Sequence, residues 1–420
     1  MNRPELDAAL RSVQTWLGGL PADRPPALVL GGSVNGLSFV RSLSRRGVPT
    51  LMLDSEPLVG TYTQHGHVSL LPAADEQPEA WLQFLEYVGS RLELPGVLFA
   101  TSDVHGVLLA EHSEALQQYY RFLIPGSAAM ERIVNKRTQY GIAEAAGIPI
   151  PQTHFPETVD EAAAIAGKLA YPCILKPYKA HVARRKVPKK VAVVDSADRL
   201  IEDYRRLADG DVPYMVQEII PGEDHALFGY LAFWDENGAE YAWLTKRKLR
   251  QNPPHYGDGS LQVTVEATEV ADLSRRLLEA FDYRGFVGVE FKHDARDGTY
   301  RLMEINPRTV SGNQLAISAG VDFPWIGYRY LTEAKPAQLA NSRFRPGVKY
   351  VNEEWDFKAF LALRRSGKLT TGRWLESLRG AEARAVFAWD DPLPLLVVGW
   401  RFLRAALRGG RRPAAAAGSR

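Results

Sequence analysis

The segment FVGVEFKHDARDGTYRLMEIN, Phe286 to Asn306, constrains the fold more than any other part of the chain. Two alternating runs flank DARDG, a turn-forming cluster, so the segment reads as an antiparallel hairpin. In the first strand Val287, Val289 and Phe291 face one way, and Gly288, Glu290 and Lys292 the other. In the second, Leu302, Glu304 and Asn306 are expected on one face, with Met303 and Ile305 on the opposite one. Pro307 lacks a ladder donor and closes the strand. Glu290 and Glu304 then lie in facing strands near the ends remote from the turn. Carboxylates that close raise each other's pKa or demand a cation. Two carboxylates and the Asn306 amide oxygen form an all-oxygen set suited to Mg²⁺, with Mn²⁺ as the alternative. Arg308, one step beyond, carries a guanidinium suited to phosphate or acyl-phosphate oxygens. The rival reading is a solvated hairpin whose charges only keep it soluble.

At 420 residues the chain is too long for one core, and its 45% hydrophobic and 24% charged composition is that of an ordinary globular protein. A net charge of +2 supplies no general reason to bind nucleic acid. The single cysteine, Cys173, excludes an internal disulfide framework and fits a reducing compartment. The first twenty residues do not resemble a signal peptide, and no apolar run reaches the ~18–20 residues of a spanning helix, so a cytoplasmic location is expected.

After a short N-terminal helix, ALVLGGSVNGLSFVRSLSRRGVPTLMLDSEP reads as strand, Gly-rich turn, amphipathic helix and second strand ending at Asp54. GVLFATSD reads as a further strand, Val97 to Thr101, with polar residues where open α/β sheets hold ligands. MERIVNKRTQYGIAEAAG reads as a helix stopped by Gly147. A short α+β unit follows, with strands PCILKP and KVAVVD and a helix after Ser196. From Tyr214 the pattern is strand-rich, interrupted by the helix VADLSRRLLEAFD before the hairpin.

Lys176 ends an apolar strand, an uncommon place for a lysine without an anionic partner, whereas Lys136 lies on a helix and alone would be a surface residue. In VQEIIPGED a strand leaves off at Ile220 and is followed by a Pro-Gly turn and two acids. Backbone at such an exit can read an adenine edge and an acid can accept from ribose hydroxyls; a plain hairpin turn explains it equally.

Taken in order, NKRTQY…GIPIPQT, YPCILKP, VQEIIPGED, TKRKLRQNPPHYGDGS, GVEFK and LMEINPR resemble the ATP-grasp superfamily and its carboxylate–amine ligases, over roughly Leu28 to Ala334. TKRKLRQNPPHYGDGS resembles D-aspartate ligases and related ligases. The resemblance implies an α/β and α+β fold. An N-terminal Rossmann-like (pre-ATP-grasp) domain at 27–125 would follow a helix and linker at 1–26. An ATP-grasp domain at 126–335 would contain a lid at about 152–212 and an antiparallel-sheet subdomain, leaving a C-terminal extension at 336–420. It further implies ATP and Mg²⁺ as cofactors, small-molecule carboxylate and amine substrates, and a homodimer. By the same resemblance Lys136 and Lys176 would contact ATP phosphates, and Gln217, Glu218 and Ile220 would line the adenine. Glu223 or Asp224 would hold the ribose, while Glu290, Glu304 and Asn306 would hold Mg²⁺. Arg308 would steady the transferred phosphoryl group, and Arg250, with Lys246 nearby, would meet the carboxylate or its acyl phosphate.

The sequence departs from the family at YKAHVARRKVPKK, Tyr178 to Lys190, where a Gly/Ser-rich loop is usual and six Lys/Arg stand instead. That basic loop is either a solvated face or a set of side-chain cations replacing amide donors. LGGSVNGLS matches neither GxGxxG nor a P-loop, so Gly32, Ser33 and, further on, Asp103 are either acceptor-pocket or turn residues. His65 and His67 lack further ligands at metal spacing and read as a loop. The stretch from Arg401 to Arg420 holds six arginines and no acid; with the apolar residues before it, it either packs on the body or lies in a membrane interface. Two other activities fit the same sequence: carboxyl activation for a non-amine acceptor, and nucleotide binding without turnover.

Overall fold

In a computed structural model, residues 3–178, 192–208, 212–333 and 343–409 are described. Three sheets organise them. The first is entirely parallel, in the order β3-β2-β1-β4-β5. Its strands are β1 (Ala27–Leu30), β2 (Thr50–Asp54), β3 (His67–Leu70), β4 (Gly96–Ala100) and β5 (Tyr120–Arg121). β1, β2 and β4 are buried along their whole length, as a sheet covered on both faces requires. The helix Val34–Ser44 crosses between β1 and β2, started by the Ser33 hydroxyl accepting from the Asn35 N–H at 3.3 Å. Gly36 lets this helix approach the exit of β1, since a Cβ there would lie 1.8 Å from the Gly31 carbonyl oxygen. The expected strand at Val97–Thr101 is found one residue earlier. β3 and the helix Pro78–Gly89 were not anticipated, because alternation and apolar runs are too short there to distinguish strand from loop.

The second sheet, β6-β9-β7-β8, is the small lid: β6 (Thr153–His154), β7 (Cys173–Pro177), β8 (Ala192–Val194) and β9 (Tyr214–Glu218). Helices Val159–Ala166 and Ala197–Ala208 close its core, which contains the buried Cys173. Apart from Tyr178, the basic loop lies outside the described residues.

The third sheet has seven strands in the order β14-β13-β10-β11-β12-β15-β16. They are β10 (Leu227–Trp234), β11 (Glu240–Asn252), β12 (Asp258–Thr264), β13 (Gly285–Asp294), β14 (Thr299–Asn306), β15 (Lys349–Val351) and β16 (Ala381–Arg384). β15 and β16 come from the segment read as a C-terminal extension, so the sheet continues through it. The helix Thr268–Ala280 packs its apolar face on the sheet beside Val287, Val289, Phe291 and Leu302.

The first domain and the third sheet are welded by aromatic packing and one buried amide. The Phe286 ring meets Phe39 and Phe99, each with centroids 6.1 Å apart. Asn35 donates to the Thr101 carbonyl at 3.0 Å and to the Thr309 carbonyl at 2.9 Å, while its own oxygen accepts from Asn313. The C-terminal helix, Leu393–Gly409, turns Leu395, Val398 and Phe402 towards Phe357 and Trp374, around a mainly apolar cavity of about 400 Å³.

Candidate active site

The hairpin does not alternate as the sequence implies. Glu290 pairs with Glu304, but Phe291 pairs with Leu302, leaving Met303 as an extra residue in β14. This β-bulge turns Leu302 into the core with Ile305, so Leu302 does not share a face with Glu304. Beyond the bulge Gly288 faces Asn306, and Glu290, Glu304 and Asn306 come to one end of one face. Among the described residues no three His, Cys, Asp or Glu side chains cluster as a metal site, so a cation here would rely on two carboxylates, an amide and ligand oxygens.

Lys248 on β11, which the sequence reading passed over, places Nζ 2.9 Å from both carboxylate oxygens of Glu290. Lys246, on the same face, donates to Gln262 Oε1 at 2.6 Å. Lys248 reaches across β10 to Glu290, and the Lys246 stem lies over the β10 residue Gly229, which pairs with Lys246 on one side and Glu290 on the other. A Cβ on Gly229 would stand 2.8 Å from Lys246 Cε. Burial favours the neutral carboxyl of Glu290, but Lys248 and Lys246 outweigh it and hold the group ionised. Burial likewise pushes Lys246 down to about 8, and Glu290 only partly offsets this.

Opposite the hairpin stand Lys136 and Lys176. Lys136 opens the helix Lys136–Ala145, whose first turn is capped by the Asn135 side chain accepting from the Arg137 N–H at 3.1 Å. Its ammonium donates to Gln139 at 3.0 Å; burial lowers its pKa against the pull of Glu304, Asp103 and Glu290. Lys176, on β7, is pushed down to about 8 by burial and by Lys136, with Glu304 opposing. A helix, a lid strand and the hairpin therefore bring two buried lysines towards Glu304.

Arg308 Nε donates to Asp103 Oδ1 at 2.7 Å, and its Nη2 donates to Asn306 Oδ1 at 3.0 Å. Burial disfavours the charged guanidinium, yet Asp103 and Glu304 more than offset that cost. Asp103 thus belongs with Arg308, at the first turn of the helix Asp103–Glu111. Gly32 and Ser33 take structural work instead: the Gly32 N–H donates to Asp54, and Ser33 caps its helix.

Several expected side chains are already engaged. Gln217 is fully buried and donates to Thr153 Oγ1 at 2.8 Å and Tyr140 Oη at 3.1 Å. Glu218 accepts from the Gln152 N–H at 2.8 Å and from Arg296 at 2.9 Å. At this strand exit a base would meet main chain and the buried Ile220 side chain. Asp224 accepts from the Gln251 N–H at 2.8 Å and the Gln251 amide at 2.9 Å, whereas the Glu223 carboxylate is largely exposed. Of the two acids, Glu223 is the more exposed, its carboxylate 3.8 Å from His255 Nδ1. Arg250 does not join Lys246: both oxygens of buried Asp356 lie 2.7 Å from Nη1, and Ser377 Oγ lies 2.7 Å from Nη2. An extra residue in β11 between Lys248 and Arg250 breaks the alternation that would have kept them in line. His65 faces Asp390 and His67 begins β3 beside Trp16, so they form no metal pair.

Residues 212–354 match a family described as ATP-grasp in the biosynthetic pathway with Ter operon. A D-aspartate ligase of Enterococcus faecium is 25% identical over 300 residues, spanning 67% of this chain and 70% of that protein. The fold is that of ATP-grasp proteins. The L-amino acid ligase of Bacillus licheniformis shares the fold at a TM-score of 0.59 and 17% identity, covering 78% of both chains. So does a carboxyaminoimidazole ribonucleotide synthase of Aspergillus clavatus solved with ATP, at a TM-score of 0.57 and 20% identity, covering 77% of this chain and 81% of that one. In this ATP-grasp fold the parallel first domain, the lid and the large sheet meet around the hairpin base.

Proposed function

We propose that this chain is an ADP-forming acid–amine ligase that activates a carboxylate as its acyl phosphate and joins it to an amine, such as that of an amino acid or peptide. The observation that carries the reading is the meeting of Lys136, Lys176 and Arg308 with Glu290, Glu304 and Asn306, drawn from four separate elements. Likeness to a D-aspartate ligase supports the amine-ligating branch.

The donor set fits Mg²⁺: Glu290 already holds a cation, the Lys248 ammonium, and Glu304 and Asn306 add hard oxygens on the same face. Bound there with the nucleotide, Mg²⁺ would neutralise charge on phosphate oxygens. The chain's own groups account for the rest. Lys136 and Lys176 bind the phosphates, and the hydroxyls of the ribose meet Glu223. A carboxylate oxygen of the substrate attacks the γ-phosphorus as the bond to the ADP oxygen breaks, and Arg308 offsets charge on the transferred phosphoryl group. The amine nitrogen then attacks the acyl carbon, phosphate departs with the bonding pair, and the amine proton passes to solvent or phosphate. No side-chain nucleophile is required.

The test is an ADP-release screen of paired amino acids and short peptides, with product masses, and hydroxylamine trapping of the acyl phosphate. A hydroxamate with ADP but no amide in any pairing would leave activation standing and replace the amine by another acceptor. Nucleotide binding without ADP release in every mixture would overturn the ligase reading.

A further inference from the structure

The C-terminal helix is apolar on two faces, and only one is used by the fold. Leu395, Val398 and Phe402 turn inward. Leu393, Leu396, Trp400, Leu403 and Leu407 are 41 to 68% exposed, and Trp389 just before the helix is 89% exposed. At 100° per residue those five helical positions fall within an arc of about 80°. The helix is not a frayed end: Arg401 donates to the Pro57 carbonyl at 2.7 Å and lies over the Tyr62 ring, tying it to the first domain. Among the described residues no helix is long and apolar enough to cross a membrane.

We propose that this outer stripe docks the protein on an anionic lipid surface, with the helix lying in the plane of the headgroups. Charge complementarity selects the occupant. From Leu393 to Arg420 the sequence contains six arginines and no acid, and Arg404 sits beside Trp400, 6.0 Å from its ring. The nearby acids Asp390 and Asp391 are paired with Arg45 and Arg41 and do not oppose an anionic surface. Two exposed tryptophans, Trp389 and Trp400, suit the boundary between headgroups and chains. A second copy is a poor occupant, because a twofold contact through a single stripe would bring the arginines of both copies together.

The experiment is co-sedimentation of the full chain with vesicles of phosphatidylglycerol and phosphatidylcholine, against phosphatidylcholine alone. The wild type is expected to partition onto the anionic vesicles and to be released by salt. Leu396→Glu with Leu403→Glu lowers partitioning by about a hundredfold, with the thermal unfolding midpoint unchanged. A chain that stays in the supernatant, or a double variant that binds as well as wild type, overturns the proposal. So does a sedimentation-velocity dimer that the double variant splits, which would make a second copy the occupant.

Discussion

Arg308 and Asp103 join the hairpin base to the first domain through a charge-assisted hydrogen bond of 2.7 Å, Nε to Oδ1. The guanidinium is thereby aimed from two sides, since Nη2 also holds Asn306. Arg308→Ala is expected to lower kcat by about 10²–10³-fold, with circular dichroism unchanged. Asp103→Asn keeps the shape and removes the charge, so a loss of about tenfold is expected, mostly in kcat. Normal ADP formation by Arg308→Ala would remove it from the chemistry.

Gly229 is predicted to matter although it carries no side chain. Gly229→Val would fill the space over β10 that holds the Lys246 stem, between β11 and Glu290. Displacement of these groups by about an ångström is expected to cost about a hundredfold in kcat/KM for ATP. Mg²⁺ dependence of the residual rate, measured against wild type, reads whether Glu290 has moved.

Lys176 sets a pH dependence. Its pKa is pushed down to about 8 by burial and Lys136, so on the proposed role the ammonium that would meet a phosphate is lost as pH rises through that value. kcat/KM for ATP should therefore be flat below about 8 and fall about tenfold per unit above it, and ATP binding near pH 8 should take up a proton. Lys176→Arg, which does not titrate there, should abolish the fall. The same depressed pKa makes the unfolded chain bind more protons between about 8 and the ordinary lysine range, so this group's share of stability rises with pH across that window.

Arg250 and Asp356 form a nearly solvent-free pair between β11 and the helix Glu353–Arg365, and Trp374 Nε1 also donates to Asp356 at 2.8 Å. Asp356→Ala leaves a buried guanidinium uncompensated and is expected to cost about 3–5 kcal/mol in denaturant unfolding. A catalytic role for Arg250 would instead appear as lost turnover in Arg250→Lys with stability intact.

Much of the fold was legible because its signals are local. Alternation in β10 and β13, the buried run of β1, and the turn chemistry of DARDG each depend on a few neighbouring residues. The hairpin pair Glu290 and Glu304 could be placed opposite one another from strand spacing alone. The site's occupancy was not legible in the same way. Nothing adjacent to Asp224 signals that Gln251 will claim it, and nothing near Arg250 announces Asp356, more than a hundred residues away. Lys248 did leave a trace: with Lys246 it makes two lysines on one face of a strand, too costly to bury without a carboxylate in reach.

Residue order alone determined which chemistry this chain carries: the carboxylate pair, the amide, the guanidinium and the two distant lysines are covalent facts, and their periods select strand or helix. Only the tertiary structure decided which of them are free to act. A bulge at Met303 separates Glu304 from Leu302, an absent side chain at Gly229 leaves room for the Lys246 stem, and partners from other elements occupy Arg250, Glu218 and Asp224. Hydrogen bonds and desolvation depend on what the folded chain brings within a few ångströms, and that distance is not encoded by any local period.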